Sequence, residues 1–408
     1  MNIQSGTYYW PTTLKDPPSY SSLKKAINCD VLIVGGGSSG AQCAYYLADT
    51  GLNVAVIEKN TIGSGSTSSN TALIQYSGEK HFTDLVHTFG EEYISRHLQL
   101  CRQAINEIEE ASKTLDIDFE FLRRDSLYYA SYPEDVERLK KEYDFLKKHQ
   151  FELALLTPTD IENKYGFKKD AAIYSYNDAE INPFKFTHSL FDYASKKGVR
   201  VFEQTKMTGH FYDKKRNRVN VRTKAGNLIH ARHVIYCAGY EGIEIKKETK
   251  ASFVSTYTVT SKPVKDFSTW YNRTLIWETA RPYVFIRTTA DNRIIIGGLD
   301  EKTNYPEVRD GKLIHKKNKL IEEFNKLFPS INVEPDYYLS AFYGGTVDGL
   351  PIIGVYEKFE NSYFLFGFGD NGTVYSQMLA KLIVEKIVEG ESKDLALYLN
   401  KRPMLANN

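Results

Sequence analysis

The sequence has few of the features that mark secreted, membrane-spanning or highly charged proteins. Only four cysteines occur in 408 residues, without a C-x-x-C pair or a histidine at metal-ligand spacing, which disfavours a disulfide framework and a metal site. The longest purely aliphatic runs, such as 31–34, are far shorter than the roughly 20 residues that a membrane-spanning helix needs. A net charge of +1, from 52 basic and 51 acidic side chains, favours neither nucleic acid nor an anionic membrane as a partner.

The overall composition is that of an ordinary folded protein. Hydrophobic residues make up 42% and charged residues 25% of the chain, a balance that excludes a disordered protein. A length of 408 residues exceeds what one core usually supports, so two domains, or one domain with a large insertion, are expected. Residues 1–20 are polar and contain proline, unlike a signal peptide. Together with the few cysteines, this favours a cytoplasmic setting.

A strand–turn–helix–strand pattern near the N-terminus predicts a dinucleotide-binding unit. The apolar run 29–34 suits a buried strand, and Gly35, Gly37 and Gly40 separate it from residues with helical spacing. Gly35 permits a tight turn, Gly37 lets the backbone approach a pyrophosphate, and Gly40 lets helix and strand pack closely. A second strand ends at Glu58, whose carboxylate suits ribose hydroxyls and disfavours the 2′-phosphate of NADP.

Further along, the pattern alternates between helices and strands. Apolar residues at spacings of three and four predict a long amphipathic helix over about 94–108, and another helix is expected over about 312–328. Residues 251–300 are rich in β-branched and aromatic side chains, as in a sheet, and 294–296 is the clearest strand there. The sequence contains no internal repeat and no low-complexity tract.

Four other segments are rich in glycines, small residues or hydroxyls. They are 62–72, which follows Glu58 directly, 231–239, 343–354 and 367–373. Taken alone, the first of them is compatible with a flexible loop as well as with a cofactor-binding loop.

In this order, the segments resemble the D-amino-acid oxidase superfamily of FAD-dependent oxidoreductases. Its γ-glutamylputrescine oxidase-like branch, related to glycine and sarcosine oxidases, is the most similar. Tyr8-Tyr9-Trp10, the prolines that follow and Asp30-Val31 match the N-terminal pattern of that branch. Two departures stand out: the usual Arg and two Gly of the loop after the second strand are missing from 66–72, and Tyr343 stands where Trp is common.

The resemblance implies an α/β fold with a Rossmann-like, GR2-type FAD-binding domain and an interleaved α+β substrate domain built on an antiparallel sheet. An extended lead-in would occupy 1–26. The FAD-binding domain would comprise 27–80, 183–245 and 335–395, the substrate domain 81–182 and 246–334, and the C-terminal tail 396–408.

The resemblance also implies bound FAD. The flavin would be non-covalent, because neither 66–71 nor 341–344 contains the Cys or His to which some relatives link it. Residues expected to contact the cofactor lie in the fingerprint, in the loop after the second strand and in the two later glycine-containing segments, with one methionine outside them. They are Gly35, Gly37, Ser38, Ser39, Gly40, Glu58, Lys59, Ser66, Thr67, Ser68, Ser69, Asn70, Thr71, Ala72, Met207, Ala238, Gly239, Gly344, Gly369, Asp370, Asn371, Gly372 and Thr373.

The implied chemistry is hydride transfer to flavin N5 from the carbon next to an amine nitrogen, giving an imine that hydrolyses. Strand period two puts Tyr283, Phe285 and Arg287 on one face of the strand before Gly297. In the family this strand passes over the flavin, so Arg287 and Tyr283 are the catalytic candidates. Arg287 would bind a substrate carboxylate or stabilise charge on the flavin, unless it is an ordinary salt-bridged arginine at a sheet edge.

Other aromatic and imidazole side chains are weaker candidates. Tyr257 and Tyr343 are expected in the core or in a cavity wall, and His81 and His188 are expected to be structural. The substrate would be a small amine or amino acid, and oxygen or another acceptor would reoxidise the flavin.

Three alternative functions remain open at this point. The first is an FAD-dependent dehydrogenase of a hydroxy acid or a polyol phosphate, because 63–72 faintly resembles the loop of glycerol-3-phosphate dehydrogenases. The second is a flavin-carrying subunit without catalysis of its own. The third is a dehydrogenase that uses only a nicotinamide cofactor.

Overall fold

The computed structural model describes residues 1–78, 80–303 and 305–404. Within these residues the helices are α1 Ser38–Leu47, α2 Phe82–Phe89, α3 Glu91–Thr114, α4 Val136–Lys148, α5 Pro158–Tyr165, α6 Pro183–Lys196, α7 Gly242–Ile245, α8 Pro306–Gly311, α9 Leu313–Leu327 and α10 Gly372–Val388. The strands are β1 Gln4–Gly6, β2 Ile27–Val34, β3 Val54–Ile57, β4 Leu73–Ile74, β5 Leu122–Tyr129, β6 Leu153–Leu156, β7 Ala172–Glu180, β8 Arg200–Phe202, β9 Met207–Asp213, β10 Arg218–Thr223, β11 Leu228–Tyr236, β12 Ala251–Ser261, β13 Leu275–Glu278, β14 Val284–Thr288, β15 Ile294–Glu301, β16 Pro335–Thr346, β17 Ile352–Gly354 and β18 Ser362–Phe366.

One sheet has a parallel centre. Its strand order is β17-β18-β11-β2-β3-β8, with β10 paired to β11 and β9 paired to β10. Strands β18, β11, β2, β3 and β8 run parallel, and β17 is antiparallel to β18. The short apolar strands β2 and β3 occupy the centre because helices cover one face and apolar side chains cover the other. Helix α1 packs against α6 and α10 on the first of these faces.

The second sheet is mainly antiparallel. Its order is β1-β16-β12-β15-β14-β13-β5-β7-β4, with β6 paired to β7, and only β13 and β5 pair in parallel. Helix α9 covers one face, burying Leu320 and Phe324 among strand residues such as Ile286 and Ile296. The predicted helix over 312–328 is confirmed as α9. The predicted long helix is also confirmed, as α3, because the apolar stripe from Ile94 to Ile108 is buried.

Two strands of the segments expected in the FAD-binding domain, β4 and β16, pair in the antiparallel sheet. Strand β16 pairs with β12 over its whole length and therefore belongs to the antiparallel sheet. The predicted FAD-binding segment 335–395 therefore begins with a strand of the antiparallel sheet, and the chain returns to the parallel sheet at β17. The domain boundaries themselves stay a prediction. A run of alternating residues such as β16 does not encode which sheet it joins, because the pairing partner lies far away in sequence. In the lead-in, β1 extends the antiparallel sheet beyond β16.

Candidate active site

Two of the three fingerprint glycines are required by the turn between β2 and α1. Gly35 has a φ of +124°, and a Cβ there would lie 2.2 Å from the carbonyl oxygen of Cys237. A Cβ on Gly40 would lie 2.0 Å from the carbonyl oxygen of Gly35, so neither position accepts a side chain. At Gly37, by contrast, a Cβ would meet only the Thr67 hydroxyl, at 3.3 Å. Gly37 is therefore not required for packing within the protein, and its open side lines a cavity.

This cavity, of about 780 Å³, lies at the carboxyl ends of the parallel strands. In open α/β sheets this is where ligands bind. The cofactor residues expected from the sequence that line it are Gly35, Gly37, Ser38, Ser39, Glu58, Lys59, Ser66, Thr67, Asn70, Met207, Ala238, Gly239, Gly372 and Thr373. The structure thus brings together fingerprint, loop, turn and C-terminal segment in one place. Sequence reasoning missed Gly36, Thr205, Tyr240 and Ser376, which also line the cavity.

Glu58 occupies the end of β3, as the fingerprint requires. Its Oε2 accepts a hydrogen bond of 2.7 Å from the Gly36 amide, and its Oε1 accepts one of 2.8 Å from the Asn60 amide. Burial raises the pKa of Glu58, while the two amide bonds oppose that rise. The carboxylate is thereby fixed in the wall of the cavity. Next to it, Lys59 pairs with Glu241 at 2.6 Å.

The N-termini of two helices face the same cavity. The first residues of α1, Ser38 and Ser39, line it, as do Gly372 and Thr373 at the start of α10. The Ser39 and Ser376 hydroxyls lie 2.8 Å apart and connect the two helices. Helix N-termini carry partial positive charge and unpaired amides, which favour phosphate groups and developing negative charge.

The hydroxyl-rich loop is tied to three distant parts of the chain. The Asn70 side-chain amide donates to the Thr373 hydroxyl at 3.0 Å, and the Trp10 indole donates to the Asn70 carbonyl at 2.6 Å. The Ser69 hydroxyl donates to Gln4 at 2.7 Å. The loop is therefore an ordered wall rather than a free segment.

The remaining candidates do not line this cavity. Gly40 packs behind it, and Ser68, Ser69, Thr71, Ala72 and Asn371 lie in the interior or on the side of the lead-in. The Asn371 side chain donates to the Ser77 carbonyl at 2.6 Å. Gly344 is packed against Tyr240, because a Cβ there would lie 2.6 Å from the Tyr240 ring. Gly369 and Asp370 line a second cavity instead.

Arg287 lies in the interior and lines neither this cavity nor the second one. Its side chain is 2% exposed, and its Nη1 donates to the carbonyl oxygens of Thr71, Ala72 and Ile181. Its Nε lies 3.8 Å from the Glu180 carboxylate. A guanidinium buried among backbone carbonyls is not placed to bind a substrate carboxylate. The predicted strand faces are nevertheless confirmed, since Val284 and Ile286 pack on the α9 side, and Phe285 packs with the other core.

The second cavity, of about 1140 Å³, adjoins the C-terminal glycine segment. Tyr283, the other catalytic candidate, lines it, together with Arg281, Asp300 and Tyr343. The Arg281 Nη1 donates to three consecutive carbonyls, of which that of Ala280 is the closest at 2.8 Å. The Arg281 guanidinium lies 5.1 Å from the centre of the Tyr283 ring. Arg281, which the sequence analysis did not single out, therefore lies in the wall of this cavity, whereas Arg287 does not. Strand alternation indicates which face a residue is on and not which end of that face is open.

A histidine and a tyrosine form a hydrogen-bonded pair in the wall of the second cavity. The His81 Nε2 and the Tyr128 hydroxyl oxygen lie 2.7 Å apart, and the Tyr128 ring stacks on Trp277 at 3.8 Å. Burial lowers the pKa of His81 to about 4 and raises that of Tyr128. Both side chains are therefore neutral at physiological pH. His188, by contrast, packs against Phe184 in the interior, as a structural histidine does.

Two further properties of the described ranges bear on function. Every helix in them is too short or too polar to span a bilayer. No three histidine, cysteine, aspartate or glutamate side chains of these ranges are grouped so as to hold a metal ion.

Comparisons with known proteins agree with this geometry. Residues 30–386 match the DAO family model, described as FAD dependent oxidoreductase. A Bacillus subtilis protein that carries the name Rieske 2Fe-2S iron-sulfur protein is 26% identical over 97% of this chain and 75% of its own. Gamma-glutamylputrescine oxidoreductase of Escherichia coli is 23% identical over 98% of this chain and 92% of its own. The glycine oxidase structure from Geobacillus kaustophilus has a TM-score of 0.77 at 21% identity, covering 92% and 99% of the two chains.

Proposed function

The chain belongs to the DAO family of FAD-dependent oxidoreductases, and we propose that it oxidises the C–N bond of a small amine or amino acid. The observation that carries this proposal is the adjacency of the two cavities. The segment 367–373 contributes Gly367, Gly372 and Thr373 to the cofactor cavity, and it contributes Gly369 and Asp370 to the larger one. A substrate in the larger cavity is thereby close to the cofactor.

The residues of the first cavity fit FAD. Gly37 leaves room for a pyrophosphate where a side chain would intrude, Glu58 can accept from ribose hydroxyls, and the N-terminus of α1 faces the phosphates. When bound, FAD accepts the hydride removed from the carbon next to the substrate nitrogen. The N-terminus of α10 then supplies positive potential near the position of that added negative charge. We further propose that the FAD is held non-covalently.

The charges of the second cavity support a substrate with a cationic nitrogen. Asp300 and Asp370 lie in its wall, the latter in the segment shared with the cofactor cavity, whereas Arg281 and Arg138 lie among the other lining residues. Carboxylates attract an ammonium group, and the arginines suit an anionic group elsewhere on the same molecule. In an amine that also carries a carboxylate, the ammonium group can pair with the aspartates and the carboxylate can pair with the arginines. A hydroxy acid or a polyol phosphate would pair with the arginines alone.

Orientation of the substrate is the proposed role of the aromatic residues. Tyr283 and Tyr343 line the cavity beside Arg281, and Tyr128 presents its hydroxyl next to neutral His81. A hydroxyl held in this way can donate to, or accept from, a substrate nitrogen without introducing charge. The amine must be neutral before the hydride leaves, and the His81–Tyr128 pair, itself neutral, would hold the nitrogen by hydrogen bonds without taking up its proton.

The test is anaerobic reduction of the purified FAD-loaded protein. Glycine, sarcosine, putrescine and γ-glutamylputrescine are each mixed with the enzyme, and the loss of the oxidised flavin absorbance is followed. The matched hydroxyl compounds glycolate and sn-glycerol 3-phosphate are tested in parallel. Bleaching by a member of the amine set and not by its hydroxyl counterpart supports the proposal.

Bleaching by sn-glycerol 3-phosphate or glycolate alone would replace it with oxidation of a C–O bond. A subsequent mixing step with air-saturated buffer tests oxygen as the acceptor. Rapid return of the absorbance with formation of hydrogen peroxide identifies an oxidase, and its absence indicates another acceptor.

A further inference from the structure

A third cavity lies far from the candidate active site. It measures about 640 Å³ and is lined by Arg216 and Arg218 of the β9–β10 hairpin, by Arg232 of β11 and by residues at the start of β2. We call the space between these three arginines the arginine cleft. Strands β2 and β11 run in parallel from this cleft to the cofactor cavity. Since Asp30 precedes Gly35 by five residues, the two sites are separated by roughly 16 Å of extended strand.

The cleft concentrates positive charge in a chain whose net charge is only +1. Asp30 is the one acidic residue among the lining residues, and its Oδ1 lies 3.4 Å from the Arg232 guanidinium. Arg216 has only a long contact of 3.7 Å to Asp213. Neither distance is that of a close, bidentate arginine–carboxylate pair. Both are long ion pairs of exposed arginines, so most of the guanidinium donors are open to an anion from solvent.

Arg218 shows the lack of a partner most directly. Its Nε is buried and has no hydrogen-bond partner among the described residues. The Nδ1 of His233, which also lines the cleft, is buried and unpartnered as well. An unpaired buried donor costs about 1–3 kcal/mol, and more when it is charged. Such groups in a folded protein call for a bound ion, water or ligand.

The two histidines of the cleft do not supply the charge. Burial lowers the pKa of His230, and the neighbouring Arg218 and Arg216 lower it further. Burial lowers the pKa of His233, with a further contribution from Arg232. The fixed cations of the cleft are thus the three guanidinium groups, which match the oxygens of a phosphate group.

We propose that the arginine cleft is a binding site for a small diphosphate-bearing anion, separate from the FAD site. Three guanidiniums exceed what a single carboxylate ligand requires. The cavity volume accommodates a diphosphate with an attached group, and the side-chain amide of Asn28 also lines the cleft. The same chemistry would bind inorganic pyrophosphate or the diphosphate of a nucleotide.

The experiment is calorimetric titration of the FAD-saturated protein with inorganic pyrophosphate and, separately, with ADP, at 150 mM NaCl. Saturation with FAD keeps the diphosphate site at Gly37 filled. We expect saturable binding of pyrophosphate with one site per chain, weakened at least tenfold by Arg218→Glu. Arg222→Glu is the matched control, because it changes an exposed arginine of the same strand that lies outside the cleft.

Arg232→Glu provides a second, exposed substitution that does not depend on tolerance of a change at Arg218. ADP binding more tightly than pyrophosphate identifies a nucleotide ligand, and equal affinity identifies the diphosphate alone. Absence of pyrophosphate binding to the wild-type protein overturns the proposal. Equal weakening by Arg222→Glu and by the two cleft variants also overturns it, since that indicates non-specific attraction to positive charge. Flavin content and flavin reduction should be unchanged in all three variants.

Discussion

At the scale of single residues, the fingerprint glycines divide into two kinds. Gly35 and Gly40 are required by the protein's own packing, because a side chain at either would overlap with a backbone carbonyl. Gly37 has room for a side chain apart from one hydroxyl contact. The distinction separates loss of the fold from loss of the cofactor, and only Gly37 is suited to test the cofactor site.

We expect Gly37→Val to fold but to lose FAD. The added side chain enters the space for the pyrophosphate, and affinity should fall by at least about tenfold, or roughly 1.4 kcal/mol. The measurement is the ratio of flavin to protein absorbance after gel filtration, with circular dichroism to verify the fold. Gly311→Val is the control, because that glycine has no neighbour within 4 Å of its Cβ position and lies in α8. A normal flavin ratio in Gly37→Val would remove the cofactor site from this turn.

The two arginines near β14 should behave in opposite ways. Arg287→Ala leaves several buried carbonyls without a donor and Glu180 with Arg124 as its remaining cationic partner, so the free energy of unfolding should fall by about 3–5 kcal/mol. This is measured by urea denaturation. The half-saturation concentration for flavin reduction should stay close to that of the wild type. Unchanged stability with altered half-saturation would restore the substrate role that was expected from the sequence.

Arg281→Ala should instead act on substrate. We expect the half-saturation concentration of a reducing amino acid to rise by a factor that corresponds to roughly 1.5–3 kcal/mol, the range for a hydrogen bond to a charged group. Arg281→Lys should recover part of this loss, because charge is retained while the planar fork is not. Stopped-flow reduction at several substrate concentrations separates affinity from the rate at saturation. An unaffected half-saturation in Arg281→Ala would show that the substrate is bound elsewhere.

At the scale of elements, the loop before β4 carries an unusual backbone conformation. Ala72 has a φ of +53°, in the left-handed region that favours glycine. The family pattern that the sequence resembles has two glycines in this part of the loop, and here the Arg287 bonds to Thr71 and Ala72 hold the conformation. The missing glycine is thus compensated by a long-range contact.

Ala72→Gly should stabilise the fold by roughly 1 kcal/mol. The left-handed conformation costs a non-glycine residue about 1–2 kcal/mol, and the greater freedom of glycine in the unfolded chain offsets part of the gain. Comparison of the melting temperatures of the variant and the wild type shows whether the substitution stabilises or destabilises the fold. A lower melting temperature would mean that the methyl group contributes packing that exceeds the relief of strain.

Strand β7 holds a buried carboxyl group with a large effect on stability. Asp178 accepts a 2.6 Å bond from the Ser126 hydroxyl, and burial raises its pKa to about 7. The folded state therefore binds a proton more tightly than the unfolded chain, whose aspartate titrates near 4. The stability that protonated Asp178 contributes is fully present below about pH 4. This contribution, at most about 4 kcal/mol, is lost as the pH rises to about 7.

Asp178→Asn should remove this dependence. The difference in unfolding free energy between variant and wild type should increase in favour of the variant from pH 4 to pH 7 and then level off. Urea denaturation over that range provides the measurement. Asp266→Asn, an exchange at an exposed aspartate, is the control and should show no such trend. A parallel pH course for wild type and Asp178→Asn would mean that Asp178 is ionised throughout.

The sequence predicts best the features that depend on residues close to one another in the chain. The glycine turn, the acid at the end of β3 and the apolar stripe of α3 each depend on spacing within one or two elements, and all of them were predictable. The fate of Arg287 depends on carbonyls at Thr71 and Ala72, more than 200 positions earlier. The sheet to which β16 belongs depends on β12. Neither of these long-range contacts can be recognised from the residues of the strand alone.

At the scale of the whole molecule, two sheets place two cavities on either side of one short segment. Glycines 367, 369 and 372 allow this segment to turn between β18 and α10 and to contribute to both. Much of the cofactor cavity is formed by the fingerprint, the loop after β3 and the turn after β11, all of which could be recognised in the sequence. The larger cavity, proposed to hold substrate, is formed by the loop after β13, the segment before α2 and the end of β16, which come together only in the fold.

We propose that this enzyme uses FAD to oxidise a carbon–nitrogen bond. The stoichiometry of the products in a single turnover is the decisive measurement. The FAD-loaded protein is reduced without oxygen by an amine that bleaches it, and the released products are counted against the flavin reduced. Oxidation of the amine followed by hydrolysis of the imine should give one equivalent of carbonyl product and one equivalent of ammonia or primary amine per FAD reduced. Flavin reduction with no nitrogen released, or a substrate whose only oxidised carbon bears oxygen, would contradict it.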